Sequence, residues 1–159
     1  MLRLKKWIKC FFLPFVCCAF FIGASSTAYA ADAPQEFSDQ EIEMIEAVVM
    51  HEVGYCSRES MIAIAHVILN RVENPLFPDT VYKVLHQKGQ FTAIHNYYDH
   101  QRPVTPEVKQ AVADALEMSD VTGGALYFYN PQYMRNSREL QWFQSLETTL
   151  VYEDVWYCK

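Results

Sequence analysis

The stretch Met61-Ile-Ala-Ile-Ala-His-Val-Ile-Leu69 decides the fold of this chain. As a helix it is apolar on nearly every side, and such a helix is surrounded by other elements rather than lying at the surface. We therefore predict a central helix over about residues 58–72. A neighbouring helix begins at Ser38, which forms a capping box with Glu41, and ends before Gly54.

Three elements follow the central helix. Asp79 is expected to cap a short helix that ends near Gly89. Residues 90–95 are predicted to form a strand, and residues 96–104 a polar loop. Thr105-Pro106 then opens a helix with a capping threonine and a proline in its first turn. The apolar face of this helix carries Val108, Ala111, Val112, Ala115 and Leu116.

The last third of the chain has the pattern of strands. A β-type run at 125–129 ends at Asn130-Pro131, and residues 148–151 and 155–158 are predicted to form a hairpin. Because helices precede strands, we predict an α+β fold. It is expected to be mainly helical, with a small antiparallel sheet contributed largely by the C-terminal third.

The first 30 residues differ from the rest. Arg3, Lys5, Lys6 and Lys9 precede the apolar run 11–23, and Ala28-Tyr-Ala30 has small residues where a signal peptidase cleaves. An apolar run of this length is shorter than the roughly 20 residues that span a membrane. We predict a secretory signal peptide at 1–30, a short linker at 31–37 and one catalytic domain at 38–159. The protein is then secreted and acts outside the cytoplasm.

Composition excludes several partners. The chain has 159 residues, 51% of them apolar, and a net charge of −6. Cleavage after Ala30 removes only basic charges, so the mature chain is more acidic still. Nucleic acid and, after signal cleavage, anionic membrane are therefore poor partners. Of the 5 cysteines, Cys56 and Cys158 remain, and we predict that they form a disulfide in the exported protein.

Common cofactor and metal motifs are absent from the sequence. It contains no Gly-rich nucleotide-binding pattern and no G-x-S-x-G elbow. His51-Glu52 begins like a zinc protease motif, but Tyr55 occupies the position of the second histidine. Since two imidazoles one turn apart hold the zinc in that motif, we predict no metal and no cofactor.

Glu52 is the unusual residue of the first helix. Its spacing from Ile45 and Val49 continues the apolar stripe that should face the core. A carboxylate there is costly unless it is paired, hydrogen-bonded or protonated. One interpretation is a glutamate at the edge of the core, satisfied by backbone amides or an arginine. The other is a general acid whose pKa is raised by an apolar cleft.

Several blocks of sequence occur together in an order that resembles a known family. The blocks are His51-Glu52, Met61–Val72, Phe77–Val81, Gly89–Thr92 and Thr122–Pro131. With this set, the chain from about Glu41 onward is similar to the SleB-type cell-wall hydrolases, which include spore cortex-lytic enzymes.

The resemblance implies a lysozyme-like lytic transglycosylase fold and activity. Glu52 matches the family's single catalytic glutamate, which cleaves peptidoglycan glycan strands between N-acetylmuramic acid and N-acetylglucosamine. A single acid suffices because the muramic 6-hydroxyl can attack its own anomeric carbon. Met50-His51 departs from the usual Tyr-Ala before the glutamate, so the rim of the cleft differs. The site of action is expected to be the cell wall or spore cortex.

Aromatic residues supply the expected substrate contacts. Tyr127 and Tyr129 share one face of a predicted strand, and we expect both to face the cleft with Phe128 in the core. Further expected substrate-binding residues are Asn130, Gln90 and Phe91. Asn70 and Arg71 are interpreted as residues that close the central helix, and Asp99 as a possible second acid.

Three other functions remain open on the residues alone. A hydrolytic muramidase or glucosaminidase would release no 1,6-anhydro ends. A cysteine peptidase would use Cys56 with a histidine. A non-catalytic wall-binding module would not depend on Glu52.

Overall fold

The computed structural model describes residues 36–159, where the other long helices pack against one buried helix. The predicted signal peptide at 1–30, and most of the linker, lie outside the described residues. Helices α1 (Asp39–Val53) and α2 (Arg58–Glu73) pack on each other and on α5 (Pro106–Glu117). In α2, every residue from Met61 to Leu69 is at most 8% exposed, which confirms the predicted central helix.

The helix starts follow local capping chemistry. The Ser38 side chain accepts a hydrogen bond from the Glu41 amide and the Glu41 carboxylate accepts from the Ser38 amide, so the predicted capping box is confirmed. Ser57 caps α2, and Thr105 with Pro106 opens α5 as predicted. These side chains satisfy amides that the first turn of a helix leaves unpaired.

The middle of the chain differs from the prediction. Residues 90–95 form no strand, because Thr92–Ile94 is a 3₁₀ turn that runs into helix α4 (His95–Asp99). Ala93 and Ile94 turn onto the core in this conformation, and a strand would have sent them to opposite faces. Helix α3 (Val81–Leu85) is capped by Thr80 instead of Asp79.

The C-terminal third forms the predicted small antiparallel sheet. Strands β1 (Tyr127–Tyr129), β2 (Thr148–Tyr152) and β3 (Val155–Cys158) have the order β1-β3-β2. The hairpin turns at Glu153 and Asp154, which both have positive φ, as a tight type I′ hairpin turn requires. The α+β prediction is therefore confirmed.

The hairpin tip docks on the start of α2. The Glu153 carboxylate accepts a 2.6 Å hydrogen bond from the Ser60 hydroxyl, and this bond lowers the pKa of Glu153. A carboxylate at a helix N-terminus is also favoured by the helix dipole. The sheet is thus tied to the helical core at the beginning of its central helix.

Helix α6 (Ser137–Gln144) was not predicted. It lies between β1 and β2 and is capped by Asn136, whose side chain accepts from the Arg138 and Glu139 amides. None of its residues is fully buried. Its aromatic side chains instead contact β1, with Trp142 on Tyr127 and Phe143 on Tyr129.

The predicted disulfide is wrong, because Cys56 and Cys158 are both free thiols. Cys56 is exposed in the turn between α1 and α2, whereas Cys158 is buried on β3. A disulfide needs the two side chains to face each other at close range. Burial raises the pKa of the Cys158 thiol, so this thiol stays protonated and unreactive.

Candidate active site

A cleft of about 220 Å³ opens where helices α1, α2 and α6 approach strand β1. Half of its lining residues are aromatic, and three others are charged. The lining residues are Glu52, Arg71, Gly89, Gln90, Phe91, Tyr127, Phe128, Glu139, Trp142 and Phe143. Four of the residues expected from the sequence (Glu52, Gln90, Phe91 and Tyr127) are therefore brought together in one place.

Glu52 lies in the last turn of α1, at the end of the stripe formed by Ile45 and Val49. Those two residues are fully buried, whereas Glu52 emerges from the stripe into the cleft. Gly54 then ends the helix. A Cβ at this position would lie only 2.5 Å from the Met50 carbonyl oxygen, so glycine lets the helix end two residues after the acid.

The electrostatic setting of Glu52 favours its protonated form. The residue as a whole is exposed, but neighbouring protein partly desolvates its carboxyl group. This partial burial raises the pKa of Glu52, and the positive charge of Arg102 opposes the rise. A carboxyl group with a raised pKa is suited to donate a proton near neutral pH.

Arg102 is held in place by hydrogen bonds. Its guanidinium donates from Nη1 to the His51 carbonyl oxygen at 2.9 Å. Its backbone amide donates to the Asn96 side chain at 2.7 Å, and the Asn96 amide donates in turn to the Ala47 carbonyl oxygen at 3.2 Å. Asn96 is buried, so the cation beside Glu52 is anchored to the same helix that carries the acid.

Asn70 and Arg71 do not close α2 as interpreted from the sequence. The Asn70 amide donates to the Thr122 hydroxyl and to the Ala125 carbonyl oxygen. The Arg71 Nε donates to the Leu126 carbonyl oxygen at 2.6 Å. Both side chains therefore hold the loop that leads into β1, and Arg71 also forms part of the cleft.

The two tyrosines of β1 have different surroundings. They share one face of the strand, as predicted, but that face is covered by α6. Tyr127 lines the cleft, whereas Tyr129 is 5% exposed and stacks on Phe143 with ring centroids 4.5 Å apart. The expectation that Tyr129 faces the cleft is therefore wrong. The covering helix, absent from the prediction, is the reason.

Phe128 and Asn130 also differ from expectation. Phe128 is half-buried: its ring lies near the rings of Phe91 and Tyr157, and it also lines the cleft. Asn130 lies outside the cleft lining, because its side-chain oxygen accepts a 2.9 Å hydrogen bond from the Gln132 amide and so forms a local turn. Asn130 is therefore a turn residue.

Gln90 and Phe91 lie at the mouth and the floor of the cleft. Gly89, with φ of 77°, turns the chain so that the exposed Gln90 borders the cleft while Phe91 is 4% exposed. Positive φ is readily adopted by glycine and strained for other residues.

Helix α6 contributes a second carboxylate that the sequence interpretation missed. Glu139 lies in the first turn of α6 and lines the cleft together with Trp142 and Phe143. Asp99, proposed as a possible second acid, ends α4 and is not part of the cleft lining. The available signal was Asn136 followed by Glu139, which has the spacing of a helix cap and its third residue.

Other chemistries receive no support from the part of the chain that the structure describes. There, no group of three or more His, Cys, Asp or Glu residues could hold a metal ion. The side-chain hydrogen bonds made by histidines within residues 36–159 all belong to His86, so none activates Cys56. Within the same residues, no helix is long and apolar enough to cross a membrane.

A sequence profile of the cell wall hydrolase family matches residues 56–157. This match covers more than half of the chain. The chain belongs to the cell wall hydrolase family. The matched segment contains all the lining residues of the cleft except Glu52, which lies just before it.

Curated relatives of this cell wall hydrolase are spore cortex-lytic enzymes. The one from Halalkalibacterium halodurans is 38% identical over 104 residues, which are 64% of this chain and 31% of the relative. The one from Bacillus subtilis strain 168 is 36% identical over 104 residues, 65% of this chain and 34% of the relative. The chain thus spans about a third of the length of these relatives.

Two solved structures have the same fold as this cell wall hydrolase. The catalytic domain of the Bacillus cereus SleB protein matches with a TM-score of 0.69 and 29% identity, over 81% of this chain and 97% of that one. The catalytic domain of the germination-specific lytic transglycosylase SleB from Bacillus anthracis matches with a TM-score of 0.69 and 30% identity, over 80% of this chain and 100% of that one.

Proposed function

We propose that this protein cleaves peptidoglycan glycan strands between N-acetylmuramic acid and N-acetylglucosamine, as a lytic transglycosylase with Glu52 as its acid and base. The observation that carries the proposal is the position of Glu52. It lies at the end of a buried helix, in a cleft with aromatic walls, and burial raises its pKa. A group that must donate a proton at neutral pH needs such an environment.

The proposed reaction has two proton transfers and no enzyme nucleophile. Protonated Glu52 donates its proton to the glycosidic oxygen, and the bond from that oxygen to the muramic anomeric carbon breaks. The Glu52 carboxylate then accepts the proton of the muramic 6-hydroxyl, whose oxygen bonds to the anomeric carbon. The products are a 1,6-anhydromuramic end and a free 4-hydroxyl, and Glu52 is again protonated.

Aromatic side chains support a sugar substrate. Tyr127 and Trp142 present accessible rings in the cleft that contains the acid, with Phe91 beneath them on its floor. Sugars can pack their C–H faces on rings while their hydroxyls bond polar edges. The family and the names of the relatives are consistent with this substrate class.

The names of the relatives support a proposed site of action. The curated relatives are called spore cortex-lytic enzymes, so spore cortex is the first substrate to test, with vegetative wall as the second. Such a substrate lies outside the cytoplasm, in agreement with the predicted signal peptide at 1–30. The absence of nucleic acid or membrane partners stays a prediction from charge.

A hydrolytic muramidase is the second candidate, and Glu139 is the observation that favours it. Glycosidases that use water usually need two carboxylates, one as acid and one as base or nucleophile. Glu139 lines the same cleft as Glu52 from the opposite helix. We favour the transglycosylase because Glu139 lies on a helix in which no residue is fully buried, whereas Glu52 ends a helix with a buried apolar stripe that fixes its position.

Mass analysis of glycan fragments separates the two candidates. Purified sacculi and purified cortex are digested with the mature protein, with the Glu52→Gln variant as the blank. Transglycosylation gives fragments lighter by one water, with no reducing muramic end. Reducing ends that take up ¹⁸O from labelled water would contradict the transglycosylase and support the hydrolase. Intact glycan in all digests would reject both.

A further inference from the structure

Arg71 is a buried cation without an ion-pair partner. It is 3% exposed, and none of the ion pairs within residues 36–159 includes it. Burial lowers the pKa of its guanidinium to about 10, which leaves it charged at neutral pH. A buried charge without a counter-charge is costly and needs a compensating environment.

Three aromatic rings provide part of that environment. The guanidinium carbon lies 5.1 Å from the ring centroid of Phe77, 4.8 Å from that of Phe91 and 5.3 Å from that of Tyr127. At these distances the negative faces of the rings attract the cation. Three ring contacts together with the Nε hydrogen bond restrict the orientation of the guanidinium.

The hydrogen-bonding capacity of Arg71 is only partly used. Nε donates to the Leu126 carbonyl oxygen. Within residues 36–159 neither Nη atom has a partner, and Nη1 is closed off from solvent whereas Nη2 is not among the inaccessible atoms. A guanidinium has five N–H donors and no acceptor, so its free donors need oxygen atoms. The residue borders the cleft, and a ligand in the cleft can supply such an oxygen.

Two other roles for Arg71 would not explain why its guanidinium keeps unpartnered donors beside the cleft. If Arg71 only held the loop before β1 in place, its Nε hydrogen bond to Leu126 would be sufficient. As a cation that tunes Glu52, it would have to act on the pKa of that carboxyl group, and Arg102 is the cation that does so. Neither role uses the Nη atoms.

The charge of the cleft indicates which oxygen suits Arg71. Glu52 and Glu139 line the same space, and two carboxyl groups there disfavour an anionic ligand group. The strongest neutral acceptor that an N-acetylated amino sugar offers is its acetamido carbonyl oxygen. We propose that Arg71 donates from Nη2 to the acetamido carbonyl oxygen of a sugar bound in the cleft, and thereby selects N-acetylated glycan. This inference rests on the proposed function and names its substrate contact.

A thermodynamic cycle that combines one change in the enzyme with one change in the substrate tests the inference. The rates kcat/KM of wild type and Arg71→Lys are measured on N-acetylated glycan and on the same glycan after chemical N-deacetylation. Lysine keeps the positive charge, so repulsion from the free sugar amine acts on both enzymes. Loss of the bond to Leu126 also affects both substrates equally and cancels. An Arg58→Lys variant is the control, since Arg58 pairs with Asp114 away from the cleft.

The expected result is a penalty that depends on the substrate. Arg71→Lys should lose roughly 10- to 100-fold on acetylated glycan, as for a hydrogen bond to a charged group, and at most about 3-fold on deacetylated glycan. Equal penalties on both glycans would overturn the inference and leave a structural role. If Arg71→Lys does not fold, Phe77→Leu, which removes one ring of the cage outside the cleft lining, is used in the same cycle.

The outcomes also separate this inference from the proposed function. An active wild type with equal penalties rejects the Arg71 contact alone. A wild type that cleaves neither glycan rejects the proposed function. The cycle is then measured on dissociation constants for the two glycans, where the same comparison of penalties supports or overturns the contact.

Discussion

The two walls of the cleft are built in opposite ways. The α1–α2 wall carries Glu52 and Arg71 on helices whose central residues are almost inaccessible to solvent. The α6 wall carries Glu139 and Trp142 on a helix in which no residue is fully buried. Buried helices hold a side chain in one place, because their packing resists displacement. The groups that move protons are thus expected on the first wall, and the adaptable sugar contacts on the second.

The largest expected change in cleavage rate comes from one of two glutamates on α1. Glu52→Gln should lower the cleavage rate by about 10²- to 10⁴-fold, the usual share of a general acid. Glu46→Gln is the matched control, since burial also raises the pKa of Glu46 but its side chain lies outside the cleft lining. It should stay within about 2-fold of wild type. Turnover of labelled sacculi measures both.

Thermal stability gives a second test of the role of Glu52. The folded state raises the pKa of Glu52, so it favours the protonated form. The stability due to this group is therefore present at low pH and lost as pH rises through its folded-state pKa. At pH 7 Glu52→Gln should melt at the same temperature as wild type or higher. A lower melting temperature would indicate that lost activity reflects lost structure.

Stability should differ between the two walls. Phe128→Ala removes a ring that packs beside Phe91 and Tyr157, and should lower the free energy of unfolding by about 3 kcal/mol. Trp142→Ala on α6 should cost less than about 1 kcal/mol, because Trp142 is 46% exposed. Urea unfolding gives both values. Equal losses would show that α6 is as firmly packed as the core.

Trp142→Ala should instead weaken substrate binding. The ring lines the cleft at its exposed wall, and an aromatic contact of this kind is worth about 3- to 10-fold in KM. Tyr133→Ala is the control, because Tyr133 is exposed but does not line the cleft. Steady-state kinetics on soluble glycan should show KM raised and kcat retained. A fall in kcat alone would place Trp142 in the chemical step.

The pH dependence should respond to Arg102. Activity is lost at alkaline pH as Glu52 loses the proton that it must donate, and the charge of Arg102 lowers the pKa of Glu52. Arg102→Gln removes that charge, so the alkaline limb of kcat/KM should move to higher pH. Arg102→Lys should move the alkaline limb less. An alkaline limb that stays in place or moves to lower pH would mean that a group other than Glu52 determines it.

The smallest expected effect concerns the tyrosines of β1. Tyr127→Phe should lower turnover by about 2- to 5-fold through one lost hydroxyl contact to substrate. Tyr129→Phe should leave turnover unchanged, because Tyr129 is stacked beneath Phe143. Steady-state turnover of the same soluble glycan is measured for both variants. Equal losses for both variants would indicate that α6 moves away from β1 when substrate binds.

Local sequence signals determined much of the fold. The helices α1, α2 and α5 could be predicted because their caps and apolar periodicity act within a few residues along the chain. The hairpin at Glu153-Asp154 was equally local. The segment at 90–95 was predicted wrongly, since its few apolar residues fit a strand or a turn until their packing partners are known. Helix α6 was missed because it has only 8 residues, fewer than the roughly 11 over which apolar periodicity identifies a helix.

The candidate site depended on both the local sequence pattern and the tertiary packing. Glu52 could be singled out from sequence because its position on the apolar stripe is set by helix geometry alone. Glu139, Arg71 and Arg102 could not, because their roles arise only when distant parts of the chain meet at the cleft. Sequence periodicity says which face of an element is buried, but it does not say which element covers that face. Tertiary packing therefore decided that α6 covers Tyr129 and that Arg71 is enclosed by three rings beside the acid.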